Sequence, residues 1–184
     1  MKSWFIIEHT AGVAGVECVY REVLEGRTPA NKANVLSAAD CAALKECEMD
    51  TQAPTEGFAP HFKSSPVTAP WEPLFSRRSE RSVELGLWLR KAHCNSRGIL
   101  HGGVIAALAD NAMGLSCVAC HPRVKGALTV SLNLDYVATA NLGQWLQIAP
   151  RVIKAGATLG FADALITADG ETIARASATF RMFS

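Results

Sequence analysis

The segment 82–90 alternates apolar and polar residues, with Val83, Leu85, Leu87 and Leu89 spaced two apart. Successive side chains of a β-strand point to opposite faces, so this spacing places all four on one face. The pattern predicts a half-buried strand. Four later segments have the same strand-like character and are separated by turn-forming residues: 127–137, 144–154, 158–167 and 172–183.

Residues 103–120 show a different pattern, free of proline and rich in alanine and leucine. The length is enough for about five helical turns. Apolar residues occupy nearly every face, and many of them are small, so we expect a buried helix that its neighbours approach closely. The small residues are Ala106, Ala107, Ala109, Ala112, Gly114 and Ala119.

The connections between the later strands are short, and Asp169-Gly170 is the clearest hairpin turn among them. A parallel crossover needs a dozen or more residues, so these strands should pair antiparallel. The predicted order is a strand, a buried helix and a four-stranded meander. An antiparallel sheet curled around one long central helix gives these elements a single core. The sequence therefore predicts an α+β protein with the hotdog architecture.

The first third of the chain has a weaker pattern. Residues 1–48 hold three cysteines and some helical-looking stretches, 38–47 among them, but no recognisable chemistry. Turn formers are concentrated in 49–60 and 64–70, as in a linker or irregular lead-in. The change in composition also raises the hypothesis that Met49 is the true translation start.

A length of 184 residues suits one domain with an extension. We therefore expect an N-terminal extension and linker over 1–57 and one domain over 58–184. Hydrophobic residues make up 49% and charged residues 19%, which is ordinary usage for a soluble protein. Lysine and arginine number 18 against 17 acidic residues, without a basic run, which argues against a nucleic-acid partner.

The beginning of the chain has too few consecutive apolar residues for a signal peptide. No run of 18 apolar residues lacks a charge, so we expect neither a membrane-spanning helix nor a membrane partner. These features favour a cytoplasmic protein. The six cysteines should then remain reduced, most of them as small core residues.

A motif of polar residues and glycines surrounds the predicted start of the helix. Its members are Asn95, Gly98, His101, Gly102, Gly103 and Asp110. In residue type and spacing the motif resembles the signature of the PaaI-like (phenylacetate-pathway) branch of hotdog thioesterases. The resemblance covers 71–183, and 128–136 with Leu142-Gly143 resembles the family's second strand and following turn. It implies hydrolysis of an acyl- or aryl-CoA thioester with no cofactor and no metal.

Thioester hydrolysis needs donors for the oxygen that gains negative charge, and a group that attacks the carbonyl or activates water. At a helix start, backbone N–H groups lack intrahelical partners and the helix dipole is positive. We therefore assign the Gly102 N–H as oxyanion donor, with His101 orienting or polarising the thioester.

Asp110 lies nine residues after His101, about two and a half turns into an apolar helix. An unpaired carboxylate there would be costly to bury. Its functional interpretation is a nucleophile or a general base toward water, and the sequence does not choose between them. The structural alternative is a carboxylate that caps a loop or pairs with an arginine.

The resemblance also implies a composite site at a homodimer interface, because in relatives the carboxylate comes from the opposite subunit. It further implies a dimer of dimers. Asn95 would hold the substrate or the attacking water, with a turn asparagine as the alternative. Thr129 would lie near that water, unless it is simply a β-branched strand residue.

Further substrate-binding candidates are Gly103, Asn111, Arg123 and Lys125. Surface charge is the alternative for the two cations, as for Arg151 and Lys154.

Two other functions remain open from the sequence. One is a non-catalytic hotdog domain that binds acyl-CoA or an acyl carrier. The other is a c-type haem protein, because Cys117-Val-Ala-Cys120-His121 fits the haem-attachment pattern, although no export signal accompanies it. Zinc at the same residues lacks a fourth ligand. We expect Cys94 to be a core or loop thiol and His93 to lie at the surface or at a strand end.

Overall fold

The computed structural model describes residues 57–184 and the backbone of two N-terminal strands, β1 (Trp4–Ala11) and β2 (Val16–Glu22). The chain divides into two compact units, Met1–Met49 and Asp50–Ser184. In the first, β1 and β2 pair antiparallel, which the sequence pattern did not predict. The predicted helical stretch 38–47 and the proposed start at Met49 lie outside the described residues.

The second unit is built from one antiparallel sheet and one long helix. Two short 3₁₀ helices, Ala69–Trp71 and Lys91–His93, lie in its loops. Its strands and helix are β3 (Ala59–Pro60), β4 (Phe75–Arg78), β5 (Val83–Trp88), α1 (Gly102–Ala119), β6 (Gly126–Tyr136), β7 (Trp145–Ala155), β8 (Leu159–Ala168) and β9 (Glu171–Phe183). The strand order of the seven-stranded sheet is β3-β4-β5-β7-β8-β9-β6.

The sheet packs around α1, as the sequence predicted. Leu85 and Leu87 on β5 and Leu108 and Met113 on α1 are all fully buried. Alanines at alternate positions of β8 and β9 are buried under the helix, and their small size lets it approach closely. The hotdog fold is therefore confirmed. By length and composition α1 would also suffice to span a membrane, but its buried residues belong to this core.

The position of β6 differs from the prediction. The strands β7, β8 and β9 form a meander, but β6 pairs with β9 at the far edge of the sheet and β7 pairs with β5. Three strand spacings, about 14 Å, therefore separate β6 from β7. The connection 137–144 can span about 26 Å when extended, which is more than this separation. Its short length therefore does not force β6 and β7 to be adjacent.

The turn between β8 and β9 has the predicted hairpin geometry. Asp169 and Gly170 both have positive φ, 49° and 87°. Both central residues of a type I′ turn require positive φ, which Asp-Gly accommodates well. The Asp169 carboxylate also accepts a hydrogen bond from the Trp145 N–H at 2.8 Å, so the turn is attached to the start of β7.

Candidate active site

The N-terminus of α1 leaves one backbone donor unused. His101 is the N-cap residue, and its Nδ1 accepts a hydrogen bond from the Gly103 N–H at 2.9 Å. The His101 carbonyl accepts from the Val104 N–H at 3.0 Å. Within the described part of the chain, the Gly102 N–H has no acceptor. The predicted oxyanion donor is therefore free to bind a ligand.

The His101 ring keeps a second donor. Because Nδ1 accepts the Gly103 bond, the neutral ring carries its proton on Nε2. The side chain is exposed, so this N–H can reach a bound molecule. The Gly103 N–H, in contrast, already donates to His101 Nδ1, so in this geometry it is not available to bind substrate.

Asn95 organises the loop that precedes the helix. Its Oδ1 accepts from the N–H groups of Arg97 at 2.9 Å and Ile99 at 3.3 Å. Gly98 has φ of 73°, the left-handed conformation that this tight turn needs and that glycine adopts easily. Asn95 therefore does stabilise a turn, as the structural alternative proposed, and it does so through the oxygen of its side-chain amide. The NH₂ group has no partner among the described residues and remains available as a donor.

Asn95 and Gly102 line the same open pocket, which has a volume of about 280 Å³. Ile105 and residues 138–140 supply much of the remaining wall. The pocket therefore combines apolar lining with the free N–H at the helix start, a combination typical of small-molecule sites. The structure brings these two predicted residues together.

Asp110 forms a second group with Thr129. The Thr129 hydroxyl donates to Asp110 Oδ1 at 2.6 Å, and Asp110 is half-buried. A β-bulge lets Thr129 face the helix: Thr129 pairs with Phe180 and Leu132 with Ala178, so the four residues 129–132 on β6 lie opposite the three residues 178–180 on β9. Without the extra residue, Thr129 and Leu132 would point to opposite faces of the sheet.

The two groups lie apart within one subunit. Asp110 follows Gly102 by eight positions in the helix, which amounts to about 12 Å along the helix axis. One thioester carbonyl cannot contact both positions in a single chain.

The other predicted residues are spread over the domain. Asn111 is half-buried on α1, whereas Arg123 and Lys125 are exposed in the loop after the helix. None of these three lines the pocket. Arg151 forms an ion pair with Asp163, with Nε 3.0 Å from Oδ1. Among the described residues, no three His, Cys, Asp or Glu side chains form a group that would hold a metal ion.

Tyr136 is a pocket residue that the sequence interpretation missed. It ends β6, and its hydroxyl donates to the Gly102 carbonyl at 2.9 Å. The alternation that turns Leu132 and Leu134 toward the core continues to Tyr136. This alternation is the sequence signal from which the inward direction of Tyr136 could have been predicted.

The expectation for His93 was wrong. Its side chain is completely buried, with Nδ1 accepting from the Arg90 N–H at 2.9 Å and Nε2 lying 3.2 Å from the Trp71 carbonyl oxygen. The ring thus connects the two 3₁₀ segments. A buried histidine is tolerated because both ring nitrogens have partners.

Cys117 is fully buried, and burial, with a smaller effect from Cys120, raises its pKa to about 11. Its Sγ lies 3.1 Å from where a Cβ on Gly160 would be, so the helix and sheet enclose the thiol. Covalent haem attachment at Cys117 would require α1 to leave the sheet.

We predict that Cys117 resists alkylation in the folded protein at pH 8, because the thiolate is the reactive form and only about a thousandth of the thiol is ionised three pH units below its pKa. Mass spectrometry after brief iodoacetamide treatment should find Cys120, which is partly exposed, modified well before Cys117. Equal labelling of the two in the native protein would contradict the burial of this thiol.

The chain belongs to the thioesterase superfamily. The sequence profile with that description matches residues 97–174, which include the helix, Asp110 and Thr129. The "Putative esterase PA0474" of Pseudomonas aeruginosa is 34% identical over 128 residues, covering 69% of this chain and 96% of that protein. Human acyl-coenzyme A thioesterase 13 is 35% identical over 89 residues, or 47% of this chain and 63% of the human protein.

Solved structures share the fold. Zebrafish thioesterase superfamily member 2 superposes with a TM-score of 0.60 at 24% identity, over 66% of this chain and 89% of that one. The Escherichia coli PaaI protein gives 0.58 at 18% identity, over 65% and 86%. A Streptococcus mutans protein bound to acetyl CoA gives 0.52 at 25% identity, over 56% and 82%. The family membership, together with the esterase and acyl-coenzyme A thioesterase relatives found by sequence, identifies the chain as a thioester hydrolase.

Proposed function

We propose that the protein hydrolyses an acyl- or aryl-CoA thioester to the free acid and coenzyme A, as a member of the PaaI-like branch. The observation that carries the proposal is the unpaired Gly102 N–H beside the pocket at the start of α1. Two relatives support the substrate class: the human protein is named an acyl-coenzyme A thioesterase, and the S. mutans structure holds acetyl CoA.

In the proposed mechanism the thioester carbonyl oxygen accepts a hydrogen bond from the Gly102 N–H, and the positive end of the helix dipole favours the charge that develops. The His101 Nε2–H is the second donor toward the thioester. The Asn95 NH₂ group orients the substrate or the water. These three groups stabilise the tetrahedral intermediate from one side.

Asp110 acts from the opposite side of the thioester carbonyl, by one of two mechanisms that lead to the same products. It either removes a proton from a water that attacks the carbonyl carbon, or attacks that carbon itself to form an anhydride that water then hydrolyses. Collapse of the intermediate breaks the C–S bond and releases coenzyme A as a thiolate, which takes up a proton. The Thr129 hydroxyl holds Asp110 Oδ1 and so orients the carboxylate.

Two subunits are needed in this proposal because Gly102 and Asp110 of one chain are too far apart. The edge strand β6 suits pairing with a second copy. It is 11 residues long, and its outer edge has no strand partner among the described residues. Leu128 and Val130 on it are 63% and 65% exposed. An unpaired edge with apolar side chains is a ready template for another strand, and a homodimer would cover it.

We predict that Leu128→Lys combined with Val130→Lys converts the homodimer to monomers, because lysines on both copies of an edge repel each other and resist desolvation. Light scattering coupled to size exclusion measures the mass. Ile153→Lys is the matched control, since Ile153 is 57% exposed on β7 but away from this edge. A double variant that keeps the wild-type mass would contradict pairing through β6.

Release of free thiol from coenzyme A esters tests the function directly. The panel contains acetyl-, hexanoyl-, palmitoyl- and phenylacetyl-CoA, and the signal is the increase in thiol over an enzyme-free blank. We expect turnover of at least one ester. No release from any of them would overturn the proposed hydrolysis. Binding without release would instead favour the non-catalytic acyl-CoA-binding alternative.

A further inference from the structure

Tyr136 lies against the glycine that carries the proposed oxyanion donor. Its hydroxyl donates to the Gly102 carbonyl at 2.9 Å. The ring is so close that a Cβ added to Gly102 would lie 3.2 Å from both Cζ and the hydroxyl oxygen. The side chain also lines the pocket and is 53% exposed. The residue therefore contacts both the backbone of the helix start and the space that a ligand would fill.

The peptide between Gly102 and Gly103 is held at both ends. The Tyr136 hydroxyl binds its carbonyl oxygen, and His101 Nδ1 binds its N–H at 2.9 Å. The preceding peptide is held through the His101 carbonyl, which accepts from Val104. Gly102 has no side chain to restrict its backbone, so these contacts fix the direction of its N–H.

Stabilisation of an oxyanion depends on donors that are already oriented before charge develops, because no energy is then spent on reorganisation. A contact that fixes the donor should therefore affect the transition state more than the binding of the neutral ester. For an exposed tyrosine, a bond to a backbone carbonyl adds little folding free energy, since water competes for both groups.

We infer that Tyr136 is a positioning residue of the thioesterase site: it orients the Gly102 N–H through the Gly102 carbonyl, and its ring forms the pocket wall next to that donor. The inference rests on the proposed function and deepens it, since it assigns Tyr136 to the rate of hydrolysis and not only to the pocket surface.

The experiment compares Tyr136→Phe with Tyr136→Leu in the full chain. Tyr136→Phe keeps the ring and removes the hydrogen bond, and we expect kcat to fall about 5- to 10-fold with KM changed by less than about twofold, which corresponds to a loss of about 1 kcal/mol. Tyr136→Leu also removes the ring, so KM should rise as well. Ser177→Ala removes an exposed hydroxyl from β9 outside the pocket and should leave kcat unchanged.

The outcomes separate the inference from the function on which it rests. With an active wild type, a Tyr136→Phe variant of unchanged kcat overturns the positioning role and leaves hydrolysis standing, as does a change in KM alone. A fall in kcat accompanied by partial unfolding at the assay temperature, followed by circular dichroism, also overturns it in favour of a structural role. A wild type inactive on every ester overturns the proposed function and the inference together.

Discussion

Replacing Asp110 with asparagine should lower kcat by about 10²- to 10⁴-fold, the range expected when a general acid or base is lost. Asparagine has nearly the same shape as aspartate. Its side-chain oxygen can still accept the hydrogen bond that the Thr129 hydroxyl donates to Asp110 Oδ1 at 2.6 Å. The site is half-buried, so removal of the charge should not disturb folding. The variant should therefore keep the wild-type Tm in a thermal melt while losing thiol release.

Asp163→Asn is the matched control for charge. Asp163 is paired with Arg151 on the sheet, outside the pocket, and its replacement removes the same single negative charge. We expect this variant to hydrolyse the best ester at the wild-type rate. Should Asp110→Asn remain within about twofold of the wild type under the same conditions, the carboxylate has no part in the chemistry.

Replacing Gly102 with proline should lower kcat by about 10²- to 10³-fold, as loss of one oxyanion donor does elsewhere. Gly102 is the first residue of α1, where a helix accepts proline because its missing N–H would have no intrahelical partner. His101 has φ of −76° and ψ of 129°, an extended conformation compatible with a following proline. The substitution thus removes the donor with little change to the helix.

Gly102→Ala controls for the added side chain. It retains the N–H, while its Cβ would lie 3.2 Å from Tyr136, so the ring must shift by a few tenths of an ångström. We expect a modest loss of kcat, well below that of the proline variant. Equal activity of Gly102→Pro and Gly102→Ala in the thiol-release assay would show that the Gly102 N–H is not an oxyanion donor.

Much of the fold was predictable because its elements have local signatures. The period-two pattern of Leu85 and Leu87 identified β5, and the small apolar residues of 103–120 identified the buried helix. The location of β6 was not predictable in this way. Pairing with β9 depends on contacts distant in sequence, and the loop 137–144 is long enough for either arrangement.

The candidate site was only partly predictable for a similar reason. Motif spacing placed His101 and Gly102 at the helix start and Asp110 about two and a half turns further on, and in the structure the helix begins at Gly102 with His101 as its N-cap. The bulge that turns Thr129 toward Asp110 has no local sequence signature, because it reflects a mismatch between two paired strands. Burial of His93 likewise depends on distant backbone partners, notably the Trp71 carbonyl.

In the proposed site Asp110 comes from one subunit and Gly102 from another, and complementation tests this sharing most directly. Asp110→Asn and Gly102→Pro chains are co-expressed in equal amounts, and the purified mixture is assayed for thiol release. With random assortment about one quarter of the sites receive both intact residues, so about a quarter of wild-type activity should return. Activity no higher than that of either variant alone would contradict a site shared between subunits.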